Sequence, residues 1–503
     1  MPGEQREQWS GRTGFMLAAI GSAVGLGNIW RFPYMAYENG GGAFLVPYLV
    51  ALFTTGLPLL VMKYAIGHRF RGSAPAALGR LSRRAETIGW WQALLCVVVG
   101  AYYAVLVAWA VRYTWLSFDQ RWGDDPNSFF FDEHLRTAEE PGISLSPVGS
   151  VAWPLLGVWI VTLGVLAFGI RRGVERLNRI LLPALFVVFG LLVLRALFLP
   201  GAAEGLDALF TPDWSAMADG SVWMAAYGQV FFSLSIGMGI MSTYASYLRR
   251  RADLTGPALA AGFANSSFEI LAGIGVFSVI GFMALSAGSG VDEVVTDGIG
   301  LAFIAFPQVI SEMPGGATIF GVLFFGCLAM AGITSLISII QVPIAAVQER
   351  TGSSRTVAVA SVGGSIAAVS LLLFPTTHGL HLLDVVDHFM SHYGIVLSAL
   401  VLVIVVAGSR KLPMLQDHVN RTSSITLGRW WRLALGVITP IALGMMLVQS
   451  LRSELSDPYG GYPVPFLITA GWAVVVGVIV FSVVLARRSF RGSADVRDRE
   501  GTL

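Results

Sequence analysis

Charge is what this chain has least of. Asp, Glu, Lys and Arg together make up 13% of its 503 residues, about half the ~25% of an ordinary soluble domain. With 55% apolar residues and a mean hydropathy of +0.68, so little charge excludes a water-soluble globule. Cysteine is nearly absent. Cys96 and Cys327 stand in separate apolar runs, which predicts two buried packing residues and no disulfide. The net charge of +2 carries no sign of nucleic-acid binding. Residues 1–12 are polar, and the apolar run behind them lacks a small-residue cleavage site, so no cleavable signal peptide is expected. No His-x-x-x-His pair encloses a Glu and no serine has an evident base, which argues against a membrane-embedded enzyme.

What the chain does have is apolar length. Stretches near 13–37, 42–68, 88–117, 150–169, 177–199, 221–247, 259–287, 317–348, 356–375, 381–409, 430–451 and 465–486 predict twelve spans, each long enough for a hydrocarbon core of about 30 Å. Alternate loops are rich in arginine: Arg69, Arg71, Arg80, Arg83 and Arg84, then Arg171, Arg172 and Arg176, then Arg249, Arg250 and Arg251, then Arg350 and Arg355, and last Arg410 with Lys411. The loop at 118–148 is acidic. The positive-inside rule then places both termini in the cytoplasm of a plasma-membrane protein.

The first span is an odd one. Gly21-Ser-Ala-Val-Gly-Leu-Gly-Asn-Ile-Trp-Arg-Phe-Pro33 puts three glycines, an Asn and an Arg where lipid tolerates none cheaply. Such a helix weakens and unwinds. Unwound backbone survives at membrane depth only inside protein or along a water-filled cavity, and its freed carbonyls suit a hard cation. Gly21-x-x-x-Gly25 is also the spacing of close helix packing, but Asn28 and Arg31 favour a site for an ion and a polar solute. No strand precedes the Gly-x-Gly and no Lys-Ser/Thr follows, so it is not a phosphate loop. The sixth stretch repeats the oddity in Phe231-Phe-Ser-Leu-Ser-Ile-Gly-Met-Gly239. Two interrupted spans five helices apart point to an inverted-repeat transporter with its site where the repeats meet.

These residues also carry a resemblance. Trp9, the Gly21–Pro33 stretch and Glu38-Asn-Gly-Gly-Gly-Ala-Phe44 resemble the opening signature of the neurotransmitter:sodium symporter family. Tyr244-Ala-Ser-Tyr247, Gly298-Ile-Gly-Leu-Ala-Phe303 and Ala331-Gly-Ile-Thr-Ser335 resemble later landmarks in the same order. The resemblance implies an all-α polytopic membrane protein of the leucine-transporter fold. Its expected parts are an N-terminal segment 1–12 with inner-gate residues, a five-helix repeat 13–199, an inverted repeat 221–409, spans 11 and 12 at 430–486, and a cytoplasmic tail 487–503. It also implies two sodium ions and one central solute, worked by alternating access.

Carried over by position, the first sodium would use the Ala23 carbonyl, Asn28, Ser233 and Asn265, completed by the solute carboxylate. The family often has Thr where Ser233 stands. The second would use the carbonyls of Gly21, Val24 and Ala331 with the hydroxyls of Thr334 and Ser335; on their own, those hydroxyls could simply bond their own helix. The solute carboxylate would meet N–H groups near Leu26 and Gly27, where a half-helix begins, together with Tyr103. Tyr102 reads as a packing residue. Ser22, Gly25, Val99, Phe232, Ser235, Met238, Ser335 and Ile339 would complete the pocket. Monoamine carriers of the family have an acid where this chain has Gly25, so an amino acid with a hydrophobic or aromatic side chain is implied. The outer gate would be Arg31 with Asp387, lidded by Phe232, and Asp384 reads as a solvated neighbour. The inner gate would be Arg6, Trp9 and Glu349, supported by Tyr247 and Gln341; the family usually has Asp where Glu349 stands.

Glu269, with Tyr48, Gln229 and Ser233, takes the place that a Ser holds in chloride-dependent members, so no chloride requirement is expected. The expected partners are a small-molecule amino acid and the bilayer, with the chain a monomer or homodimer. A non-transporting amino-acid sensor of the same fold is the alternative. An ion channel fits less well, because channels build rings from repeated subunits.

Overall fold

A computed structural model describes residues 7–294, 298–313 and 315–487. Apart from two isolated bridges, Gly41 with Pro212 and Pro147 with Thr376, the described residues form helices, turns and loops. Ten helices are long and apolar enough to cross a membrane: Gly42–Phe70, Ala85–Leu116, Gly149–Ala167, Ile170–Leu197, Thr255–Ala287, Ala317–Thr351, Arg355–Leu373, Gly379–Gly408, Arg429–Gly461 and Val464–Arg487. In chain order they correspond to expected spans 2–5 and 7–12. Span 1 is the bent pair Arg12–Ala23 and Leu26–Glu38, with 55° between its halves. Span 6 falls short of a continuous crossing, since its halves Gly220–Ser233 and Ile240–Ala245 have 14 and 6 residues.

Burial separates a core from a periphery. The most apolar windows of spans 3 and 8 are 72% and 78% buried, against 28–33% for spans 4, 5, 9, 11 and 12. Those five show apolar side chains such as Trp153, Leu194 and Phe481 outward, as lipid-facing helices do. Spans 3 and 8 approach closely where glycine removes a side chain. A Cβ on Gly100 would lie 2.4 Å from Cδ1 of Ile340, and one on Gly332 2.6 Å from Cγ2 of Val107. That contact is the small-residue packing expected of helices in lipid.

The acidic 118–148 loop contains helical turns of its own. Asp125 accepts N–H bonds from Asn127 and Ser128, both at 3.1 Å, and starts a helical turn through Phe129–Leu135. That turn buries His134 against Tyr113, Phe129 and Phe130. Both cysteines are buried and free.

Candidate functional site

Span 1 opens where its glycines lie. Val24 (ψ 103°) and Gly25 (ψ −170°) are extended, so the helix stops at Ala23 and restarts at Leu26. Asn28 holds the restart: its Oδ1 accepts the Gly25 N–H at 2.9 Å, and its Nδ2 donates to Asn265 Oδ1 at 2.9 Å. Asn265 in turn donates to Ser233 Oγ at 3.1 Å. This buried row joins spans 1, 7 and 6, and Ala23 lies beside it in the wall of the same cavity.

The other face of the break meets span 8. Ser335 Oγ lies 3.4 Å from each of the Gly21, Ser22 and Val24 carbonyl oxygens. Thr334 Oγ1 turns back onto its own helix, donating to Ala331 O at 2.9 Å and Met330 O at 3.2 Å. The simple helix-bonding alternative therefore describes Thr334 here but not Ser335, which reaches across to span 1.

Span 6 unwinds around Ser235 (φ 50°) and Gly239 (φ 77°), both left-handed. Side chains satisfy the freed carbonyls. Ser398 Oγ donates to Gly237 O and Cys96 Sγ to Met238 O, each at 3.0 Å, while Gly239 O already takes the Thr243 N–H at 3.0 Å as the second half-helix begins. Irregular backbone at membrane depth survives only with such partners. Gly237 is needed for fit, since a Cβ there would lie 2.2 Å from Cγ2 of Ile395.

The two breaks face one cavity of 660 Å³. Its wall includes Ser22, Gly25, Leu26, Gly27, Val99, Tyr103, Phe232, Ser235, Met238, Ser335 and Ile339, so every residue expected around the solute is brought together. The Leu26 N–H, first of the second half-helix, points at Tyr103 Oη at 3.3 Å. A Cβ on Gly25 would stand 3.1 Å from both Ser335 Oγ and Tyr103 Oη, so any side chain there would crowd these two hydroxyls.

Toward the acidic-loop side the cavity passes Arg31, whose guanidinium stacks on Phe232 at 4.4 Å, and Asp387. Here two expectations are corrected. Tyr102 is not a mere packing residue: its hydroxyl donates to Asp387 at 2.6 Å, and Ser391 adds a second bond at 3.2 Å. Asp384 is not a solvated neighbour, because Tyr459 and Tyr462 hold it at 2.8 and 3.0 Å.

The arginine-rich side is closed by Trp9, which is 2% exposed. Its indole donates to Tyr244 O at 2.9 Å and its backbone N–H to Tyr247 O at 3.2 Å. Gln341 donates to Tyr247 Oη at 3.2 Å. Glu349 accepts the Ser73 N–H at 2.6 Å and pairs with Arg80 at 3.2 Å; Arg6, its expected partner, lies outside the described residues. Sequence reading missed Arg80, whose arginine-rich loop gave no hint which member would turn to span 8.

Glu269 is fully buried on span 7. It accepts a short hydrogen bond from Tyr48 and one from Gln229 Nε2 at 2.6 Å, and Tyr48 also reaches Ser266 Oγ at 2.8 Å. It stands one turn from Asn265. Asn178 on span 5, unassigned from sequence, abuts Gly21.

Two broken spans facing one cavity in a helical membrane protein point to a transporter. The chain belongs to the sodium:neurotransmitter symporter family, whose sequence profile matches residues 6–130 and 120–491. It is thus a sodium-dependent symporter and not an enzyme. It is 38% identical over 492 residues to an uncharacterized sodium-dependent transporter of Methanocaldococcus jannaschii, covering 97% of this chain and 99% of the relative. It is 31% identical over 524 residues to the sodium- and chloride-dependent taurine transporter of Rattus norvegicus, covering 95% and 83%. The crystal structure of MhsT in complex with L-phenylalanine superposes with a TM-score of 0.74 at 29% identity, over 89% of this chain and all of MhsT. The leucine-transporter fold follows from that match.

Proposed function

We propose that this symporter imports an amino acid with a hydrophobic or aromatic side chain together with two sodium ions. The carrying observation is the pairing of the two breaks across one cavity, with carbonyls and hydroxyls on both sides and no carboxylate at Gly25. Ala23, Asn28, Ser233 and Asn265 hold the first sodium, and the solute carboxylate completes its shell. Gly21, Val24, Ala331, Thr334 and Ser335 hold the second, with Thr334 exchanging its own helix carbonyls for the ion. The Leu26 and Gly27 N–H groups and Tyr103 receive the carboxylate, at the positive end of a half-helix. Val99, Phe232, Met238 and Ile339 supply an apolar side-chain pocket. The likeness to MhsT, crystallised with L-phenylalanine, supports this substrate class.

Arg31, Phe232 and Asp387 form the outer gate, with Tyr102 positioning the carboxylate. Trp9, Glu349, Tyr247 and Gln341 form the inner one. Glu269 supplies the fixed negative charge beside the first sodium, so transport needs no chloride. The repeats run over 13–199 and 221–409, both termini face the cytoplasm, and the protein sits in the plasma membrane as a monomer or homodimer. Calorimetry of purified protein tests the reading. Leucine, phenylalanine or tryptophan should release heat in sodium and none in potassium. Equal affinity in both salts refutes the coupling, and binding of a monoamine but no amino acid refutes the substrate.

A further inference from the structure

Where span 5 crosses span 1 lies a buried oxygen with no assigned role. Asn178 has no exposed surface. Its Nδ2 donates to Val174 O at 2.9 Å. A carbonyl can pair only with the amide's NH2 end, so this bond fixes the orientation of the group and aims Oδ1 the other way. Oδ1 has no hydrogen-bond partner among the described residues. A Cβ built on Gly21 would lie 2.1 Å from it and 3.5 Å from Cβ of Thr334. The orphan acceptor thus sits at the junction of spans 1, 5 and 8, against a residue from each side of the proposed second sodium site. Buried amide oxygens in native proteins have partners. The partner that suits an acceptor lodged among carbonyls and a hydroxyl is a cation or the water around it.

Position along span 5 gives the direction. One turn earlier Glu175 holds Ser10 by a backbone N–H bond at 2.9 Å and a short hydroxyl bond, and pairs with Arg179 at 2.6 Å. Asn178 therefore stands between the second sodium site and the N-terminal strap on the arginine-rich side. We infer that Asn178 Oδ1 is a way-station for the second sodium, receiving the ion, bare or with its hydration water, as it leaves the span-1 carbonyls toward that side. The inference rests on the second-site assignment above.

Release and binding separate in two assays on reconstituted protein. Net uptake into sodium-free vesicles requires the site to empty inward in every cycle. Exchange of labelled for unlabelled solute, with saturating sodium on both sides, does not. Asn178→Ala should lower net uptake about tenfold, the scale of one lost hydrogen bond to a charged group, while exchange falls far less. Asn178→Asp, which keeps the oxygen, should restore net uptake. Asn178→Val, which removes the oxygen but keeps more bulk, is read in the same way if the alanine variant does not fold. Equal loss of uptake and exchange marks a merely structural residue and overturns the inference, as does unchanged net uptake. If Thr334→Val with Ser335→Ala leaves sodium dependence intact, the second-site assignment fails. If that pair weakens it while Asn178→Ala behaves as wild type, only the way-station fails.

Discussion

Transport should proceed without chloride, and replacing Glu269 by Ser should make it chloride-dependent. The carboxylate is fully buried, and Tyr48 and Gln229 aim donors at it. It lies four residues from Asn265, one turn or roughly 6 Å along the helix. At that separation, with an effective dielectric near 20, a negative charge favours the first sodium by about 3 kcal/mol, or roughly a hundredfold in affinity. The serine variant loses that attraction and leaves the buried Gln229 amide without its acceptor, at a cost of about 1–3 kcal/mol, while Tyr48 keeps Ser266. A chloride ion entering the same place would receive both donors and return the charge. Sodium-driven uptake into proteoliposomes, measured in chloride and in gluconate, reads this out. Wild type should transport equally in both, and Glu269→Ser only in chloride, with sodium affinity weakened when chloride is withdrawn. A wild type that stops in gluconate, or a serine variant indifferent to chloride, refutes the reasoning.

Two further variants probe other parts of the molecule. Thr334→Val combined with Ser335→Ala removes two proposed sodium ligands at about 1–3 kcal/mol each, so uptake should fall and half-saturating sodium rise while expression is kept; unchanged sodium dependence would show that these hydroxyls only bond backbone. His134, outside the spans, is pushed down to about 3 by burial and then by nearby Arg112. The unfolded chain, with an ordinary histidine near 6.5, therefore takes up this proton first, and stability should decline as pH falls from about 6.5 toward 3. Melting temperatures of His134→Phe should fall less steeply over that range than those of wild type, and identical slopes would contradict the assignment.

The breaks were legible because glycine, Asn28 and Arg31 are costly in lipid wherever they point, so span 1 betrays itself without any partner. Span 6 was legible by its correspondence with span 1. Partner choice was not. Tyr102 and Tyr103 are neighbours on one helix, about 100° apart, and only the third dimension sends the first to Asp387 and the second to the Leu26 N–H. Asp384 finds two tyrosines beyond span 10, more than 70 residues away along the chain. The acidic 118–148 loop hid a buried histidine because its charges lie on the outside of the turn that covers it. Asn178 was one more polar residue beside Glu175, Arg176 and Arg179 at the start of span 5, and its meaning comes only from Gly21 against it.

Solute accumulation against its gradient tests the central claim most directly. Purified protein in potassium-loaded liposomes, diluted into sodium, should concentrate labelled leucine, phenylalanine or tryptophan above the outside level, and a sodium ionophore should abolish the overshoot. Sodium-dependent binding without accumulation would make the protein a sensor, and accumulation indifferent to the sodium gradient would contradict sodium coupling outright.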